Sequence, residues 1–147
     1  MNTLFLHCRP GFESEVCSEI SEVAARHEIA GYAKAKPGTA YAEFICTEPE
    51  GAQQLMRAQR FARLIFPRQW ARGAFVELPE KDRISVLLAR MDDFPTCGSL
   101  WLEVLDTNEG KELSKFCKMF EAPLRKALLK AGRLVDEHKS RVLCCFP

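Results

Sequence analysis

Residues 106–132, DTNEGKELSKFCKMFEAPLRKALLKAG, constrain the fold more than any other stretch of this chain. Read at helical period, Leu113, Phe116, Cys117, Phe120, Leu124, Ala127, Leu128 and Ala131 recur at i, i+3, i+4 and i+7. That is the spacing of one buried helix face. At about 100° per residue they occupy an arc of roughly 120°. Lys111, Lys115, Lys118, Arg125, Lys126, Lys130 and Arg133 fall on the opposite side. The segment must therefore lay an apolar ridge on a sheet and turn a positive strip outward. Pro123 interrupts the pattern. A proline costs a helix interior about 3 kcal/mol, so the segment reads either as a kinked helix or as two helices with Pro123 in the first turn of the second. Asp106, Thr107 and Asn108 are all cap formers, and the charge of Glu109 suits the positive end of a helix. Gly132 is a natural stop.

The remainder of the 147 residues must supply the sheet. Residues 3–8 are a β-branched and aromatic run closed by Arg9-Pro10-Gly11, a strand followed by a turn. A helix follows over 13–27, with Val16, Cys17, Ile20, Val23 and Ala24 as its buried stripe. Glu13 and Glu15 lie in its first turn, Arg26 and His27 in its last, as the helix dipole favours. Residues 31–35 and 40–46 flank Lys36-Pro37-Gly38-Thr39 and read as a hairpin. A second helix over 49–59 turns Ala52, Leu55, Met56 and Gln59 inward. Residues 64–66 and 69–76 read as extended, with an interruption at Pro67. The order β-α-β-β-α-β is that of the split ferredoxin-like unit.

Leu78-Pro79-Glu80 marks a boundary, dividing the chain into residues 1–78 and 79–147. Beyond it come a helix over 82–91, a loop over 92–99, a strand over 100–105, the amphipathic segment and a strand over 141–146. Two strands joined through a helical connection of this length predict a right-handed parallel crossover. The class is α+β. With so little sheet around the last strand, the chain is expected to stop inside a larger protein.

Composition excludes several kinds of chemistry. No apolar run approaches the roughly 18 residues of a membrane helix, and the N-terminus reads as a first strand rather than a signal peptide. Seven cysteines, an odd number without a C-x-x-C pair, describe a reduced cytoplasmic protein with buried thiols. Adjacent Cys144 and Cys145 would point to opposite faces of a strand and chelate poorly together. The eight glycines are scattered and form no nucleotide loop, while His7, His27 and His138 lack metal-ligand spacing. Asp92-Asp93 and Asp136-Glu137 read as solvated or capping loop carboxylates. No catalytic, cofactor-binding or metal-binding residue emerges.

Charge is more informative in its distribution than in its sum of +1. Residues 1–60 and 61–110 each carry six Lys/Arg against eight Asp/Glu, whereas 111–147 carry nine against four. A basic surplus on one helix fits an anionic partner, or simply a solvated face.

Three blocks carry a family resemblance: Cys8-Arg9-Pro10-Gly11-Phe12-Glu13, then Leu64-Ile65-Phe66 with Arg68-Gln69-Trp70, then the run from Leu105 through Lys118 that continues at Pro123-Leu124-Arg125 to Gly132. Together they closely resemble the RlmM family of bacterial 23S ribosomal RNA cytidine 2′-O-ribose methyltransferases, which depend on S-adenosylmethionine. The resemblance implies a ferredoxin-like subdomain followed by a THUMP-like α/β RNA-binding subdomain, truncated at its C-terminal side. It also implies that the Rossmann-like catalytic domain, with cofactor pocket and catalytic residues, lies beyond residue 147. The expected partner is 23S rRNA in the cytoplasm, with no membrane and no metal. Lys111, Lys115, Lys118, Arg125, Lys126 and Lys130 are the first candidates for phosphate contact. Arg9, Arg68 and Arg72, near strand ends and turns, come second. Trp70 or Tyr41 would either stack on a base or pack in the core. Two alternatives remain, a regulatory module binding a small ligand and a protein-interaction module, neither binding RNA. The chain is expected to be a monomer, or weakly associated through its open terminal strand.

Overall fold

A computed structural model describes residues 1–135 and 141–146; Asp136, Glu137 and His138 lie outside the described residues. The chain separates into two compact units, Met1–Ala74 with Leu105–Asn108, and Phe75–Val104 with the chain from Glu109 onward.

The first unit runs β1 (Thr3–His7), α1 (Glu13–Arg26), β2 (Gly31–Ala35), β3 (Tyr41–Cys46), α2 (Gly51–Ala58) and β4 (Gln69–Arg72). Its four strands lie in the order β2-β3-β1-β4, every neighbouring pair antiparallel. This is the ferredoxin-like arrangement. Strand alternation gives the sheet one apolar face, where Leu4 and Leu6 of β1 pair with Phe44 and Ala42 of β3. Val16, Ile20, Val23 and Ala24 of α1 and Ala52 and Leu55 of α2 complete that core. Cys17, expected in the stripe, is only half-buried at its margin.

Two expectations fail here. Residues 64–66 are not a strand, although their composition suits one. A 3-10 turn, Phe61–Arg63, precedes them, and the amides of Ile65 and Phe66 donate to the Glu19 carboxylate at 2.7–3.1 Å. A side chain on α1 has taken the donors that a strand would use. Likewise, β4 ends at Arg72; the Gly73 amide still donates to the Thr3 carbonyl at 3.2 Å, and residues 74–76 belong to no strand.

The second unit holds α3 (Arg83–Arg90), β5 (Ser99–Val104), α4 (Asn108–Glu112, whose first residue belongs to the other unit), α5 (Ser114–Lys130) and β6 (Arg141–Phe146), with a 3-10 turn at Met91–Asp93. β5 and β6 pair in parallel, as a helical crossover requires. Met91, Cys97, Leu100, Leu124, Leu128 and Leu134 form the core, flanked by Ile84, Leu87, Leu88, Leu102 and Phe120. The helical break falls at Leu113 and not at Pro123, which sits inside α5. The Leu113 amide tightens onto the Gly110 carbonyl at 3.0 Å, and a new helix starts from there. Pro123 is exposed, and the hydrogen bond it forfeits is to the carbonyl of Met119, a residue 70% exposed. Packing of Leu124 and Leu128 carries the helix across. Ala131 falls just past the last helical residue and is exposed, contrary to its place in the apolar pattern.

Candidate nucleic-acid interface

The buried side of α5 determines what its other side presents. Cys117, Leu124 and Leu128 are buried, with Phe120 and Ala127 half-buried beside them. Lys115, Lys118, Lys126 and Lys130 therefore emerge on the outer face, with Lys111 exposed on α4 ahead of them. The spacing that makes a core-facing ridge makes a row of cations as its complement.

Two bases behave differently. Arg125 is half-buried; its Nη2 donates to Glu121 Oε1 at 2.8 Å and to the Leu100 carbonyl at 3.4 Å. It fastens α5 to β5 and gives much of its charge to Glu121. Arg133 donates to the Met91 carbonyl at 2.6 Å and to Asp92 at 2.9 Å, so it closes the core beneath the 3-10 turn. Between the lysines, Lys118, Glu121, Ala122, Arg125, Lys126 and Leu129 line a shallow depression of about 360 Å³. Leu129 is 51% exposed, leaving apolar surface among the cations.

The second-rank arginines of the first unit divide between opposite ends of its sheet. The Arg68 amide donates to the His7 carbonyl at 2.7 Å, and Arg9 follows β1 after Cys8, so both lie beside the C-terminal end of that strand. The Arg68 guanidinium pairs with Asp106 at 3.3 Å. Arg72 pairs with Leu4, toward the other end, and is half-buried. No common surface joins all three. Trp70 packs against the core with its ring 5.4 Å from that of Phe61, and Tyr41 is half-buried beside Phe5 at 6.5 Å. Both are packing residues first.

Four of the cysteines, Cys8, Cys17, Cys46 and Cys117, are poorly suited to nucleophilic work. Burial, and next the Glu13 carboxylate, push the Cys8 thiol up to about 11, and burial raises Cys17, Cys46 and Cys117. Each is held as thiol, the unreactive form.

One aromatic–cation pair escaped the sequence reading. Trp101 on β5 is 47% exposed, and the Arg141 guanidinium carbon lies 4.7 Å from its ring centroid. Trp101 stands between Leu100 and Leu102 in a strand, which already implies the opposite face; its pairing with a residue forty positions on does not show in the sequence.

Fold and surface thus define an α+β chain with a ferredoxin-like first unit and a basic helical face on the second. Residues 1–71 match the family described as RlmM ferredoxin-like domain, and residues 82–146 that described as ribosomal RNA large subunit methyltransferase M, N-terminal. Curated relatives agree. The chain is 73% identical over 147 residues to the ribosomal RNA large subunit methyltransferase M of Pseudomonas fluorescens, an overlap of 99% of this chain and 41% of that protein. The corresponding values are 71%, 99% and 41% for the protein of that name from Pseudomonas syringae pv. tomato, and 73%, 99% and 42% for that from Pseudomonas entomophila. The chain spans about two fifths of the length of these relatives. It belongs to the RlmM family, of which it carries the N-terminal region.

Proposed function

We infer that this chain is the RNA-binding region of an S-adenosylmethionine-dependent methyltransferase acting on a cytidine 2′-hydroxyl of 23S rRNA. The observation that carries the reading is the row of exposed lysines, Lys111, Lys115, Lys118, Lys126 and Lys130, opposite the buried ridge of α5. Ammonium groups on flexible stems suit phosphate oxygens along a backbone, giving affinity and register without reading sequence. Arg125 supports the face, and Arg9, Arg68 and Arg72 are secondary contacts on the first unit. In this reading residues 1–78 are the ferredoxin-like subdomain and 79–147 a THUMP-like subdomain that holds rRNA for a downstream catalytic domain in the cytoplasm.

The methyl donor belongs to the whole protein. Among the described residues, the parallel sheet of the second unit has two strands. The β5–α4 turn, Leu105-Asp106-Thr107, contains no glycine-rich loop, and Gly110 is buried within α4. We assign no methyl-transfer step to this chain.

The test is binding to a large-subunit rRNA fragment at several salt concentrations, for the unaltered chain and for a triple variant with Lys111, Lys115 and Lys118 changed to Glu. Each lost phosphate contact should flatten the log–log salt slope by about 0.7 to 0.9. Equal slopes for the two proteins would reduce the strip to a solvated face.

A further inference from the structure

β5 has two unlike faces. Leu100 and Leu102 join the core with Leu124 and Leu128 of α5. By strand alternation Ser99, Trp101 and Glu103 face the other way. The register sets Arg141 opposite Ser99, on that same face, and its guanidinium lies over the Trp101 ring. Parallel sheets ordinarily bury both faces, so a half-exposed tryptophan here is a departure from the pattern. The register sets Leu143 opposite Trp101, and the flat Arg141 guanidinium lies over the ring. Indole and guanidinium planes are both surfaces on which unpaired RNA bases stack, and a cation at the ring also answers a phosphate.

We propose that Trp101 and Arg141 form a stacking platform for an unpaired nucleobase of RNA, with Arg141 also meeting the phosphate of that nucleotide. This rests on the RNA-binding reading above. Glu103, on the same face, repels phosphate and directs the backbone to the Arg141 side of the ring. The platform lies across the sheet from α5, so it and the lysine row engage different segments of the RNA. Purines, with the larger flat area, should be preferred to pyrimidines. Base stacking is sequence-tolerant otherwise, so the platform selects for unpaired RNA over duplex.

The experiment uses short single-stranded oligoadenylate and oligouridylate, with a blunt RNA duplex as control. Anisotropy of labelled RNA reports affinity. In a Trp70→Phe background, emission reports Trp101 alone, since the chain has two tryptophans. The platform predicts quenching by oligoadenylate, and binding weakened roughly 5- to 100-fold in Trp101→Ala. Trp101→Phe should retain most affinity, which separates stacking from misfolding. Arg141→Ala should flatten the salt slope by about 0.7, which Trp101→Ala should not. If the unaltered chain binds neither the single strands nor the duplex, platform and RNA reading fall together; if it binds the duplex but no single strand, the platform alone falls. If binding needs the lysines but survives Trp101→Ala, or leaves Trp101 emission unchanged, the platform alone falls and the face is left to a protein neighbour.

Discussion

The carboxylate of Glu13 accepts the amide of Ala40 at 2.9 Å, tying the start of α1 to the end of the β2–β3 hairpin. The same carboxylate takes the Gly11 amide at 3.0 and 3.1 Å and is only 3% exposed. Ala40 adopts a left-handed backbone, φ 62°, which costs a non-glycine residue roughly 1–2 kcal/mol. Glu13 thus satisfies amides at two turns, one of them holding Ala40 in a conformation that is otherwise unfavourable. An acidic residue in the first turn of a helix serves here as a long-range clamp.

The clamp should be visible in the pH dependence of stability. Burial works against ionisation of Glu13, but the amides of Ala40, Glu13, Gly11 and Gly38 outweigh it, and the carboxyl titrates below its usual range. A pKa depressed by folding contributes stability that is present above the unfolded value, about 4.3, and is lost as pH falls through the native value. Glu13→Gln should lose about 1.5–3 kcal/mol at pH 7. Urea unfolding between pH 3 and 7 should show a flatter acid limb for the variant; parallel curves would refute the clamp.

Gly51 opens α2 against β3, where an added Cβ would stand 2.5 Å from the Cβ of Cys46. Helix propensity alone favours alanine over glycine by about 1 kcal/mol. Overpacking costs about 1–3 kcal/mol, and neither backbone yields easily. Gly51→Ala should therefore be destabilised, by up to about 2 kcal/mol after the propensity gain is subtracted. A raised urea midpoint would show that β3 gives way.

Leu128 is fully buried in the core of the second unit. Leu128→Ala should cost about 2–5 kcal/mol. Because Leu4, Leu6 and Phe44 form a separate core, hydrogen exchange should accelerate in β5 and α5 while β1 and β3 stay protected. Uniform loss of protection would mean that the two cores unfold as one.

Pro123→Ala should stabilise the chain. Restoring an amide toward the Met119 carbonyl removes a penalty of about 3 kcal/mol, while the freer unfolded chain takes back about 0.4–1 kcal/mol. Local adjustment around the proline already recovers part of the penalty, so a gain of about 1–2 kcal/mol is expected. Thermal unfolding should show it as a Tm a few degrees higher. An unchanged Tm would mean that water already replaces the missing bond in full.

Local periodicity determined much of this protein. The ridge of Cys117, Leu124 and Leu128, the alternation of Leu4 and Leu6, and the turn at Lys36-Pro37-Gly38-Thr39 were all legible, because burial recurs at the period of the element that buries it. The lysine row followed as the complement of the ridge. What tertiary structure decided were pairings between distant positions. Glu19 claims the amides of Ile65 and Phe66 and turns an apparent strand into a loop; Arg125 reaches Leu100 and becomes a strut; Arg141 covers Trp101. Such pairings depend on which strands become neighbours, and no periodicity within one segment encodes that.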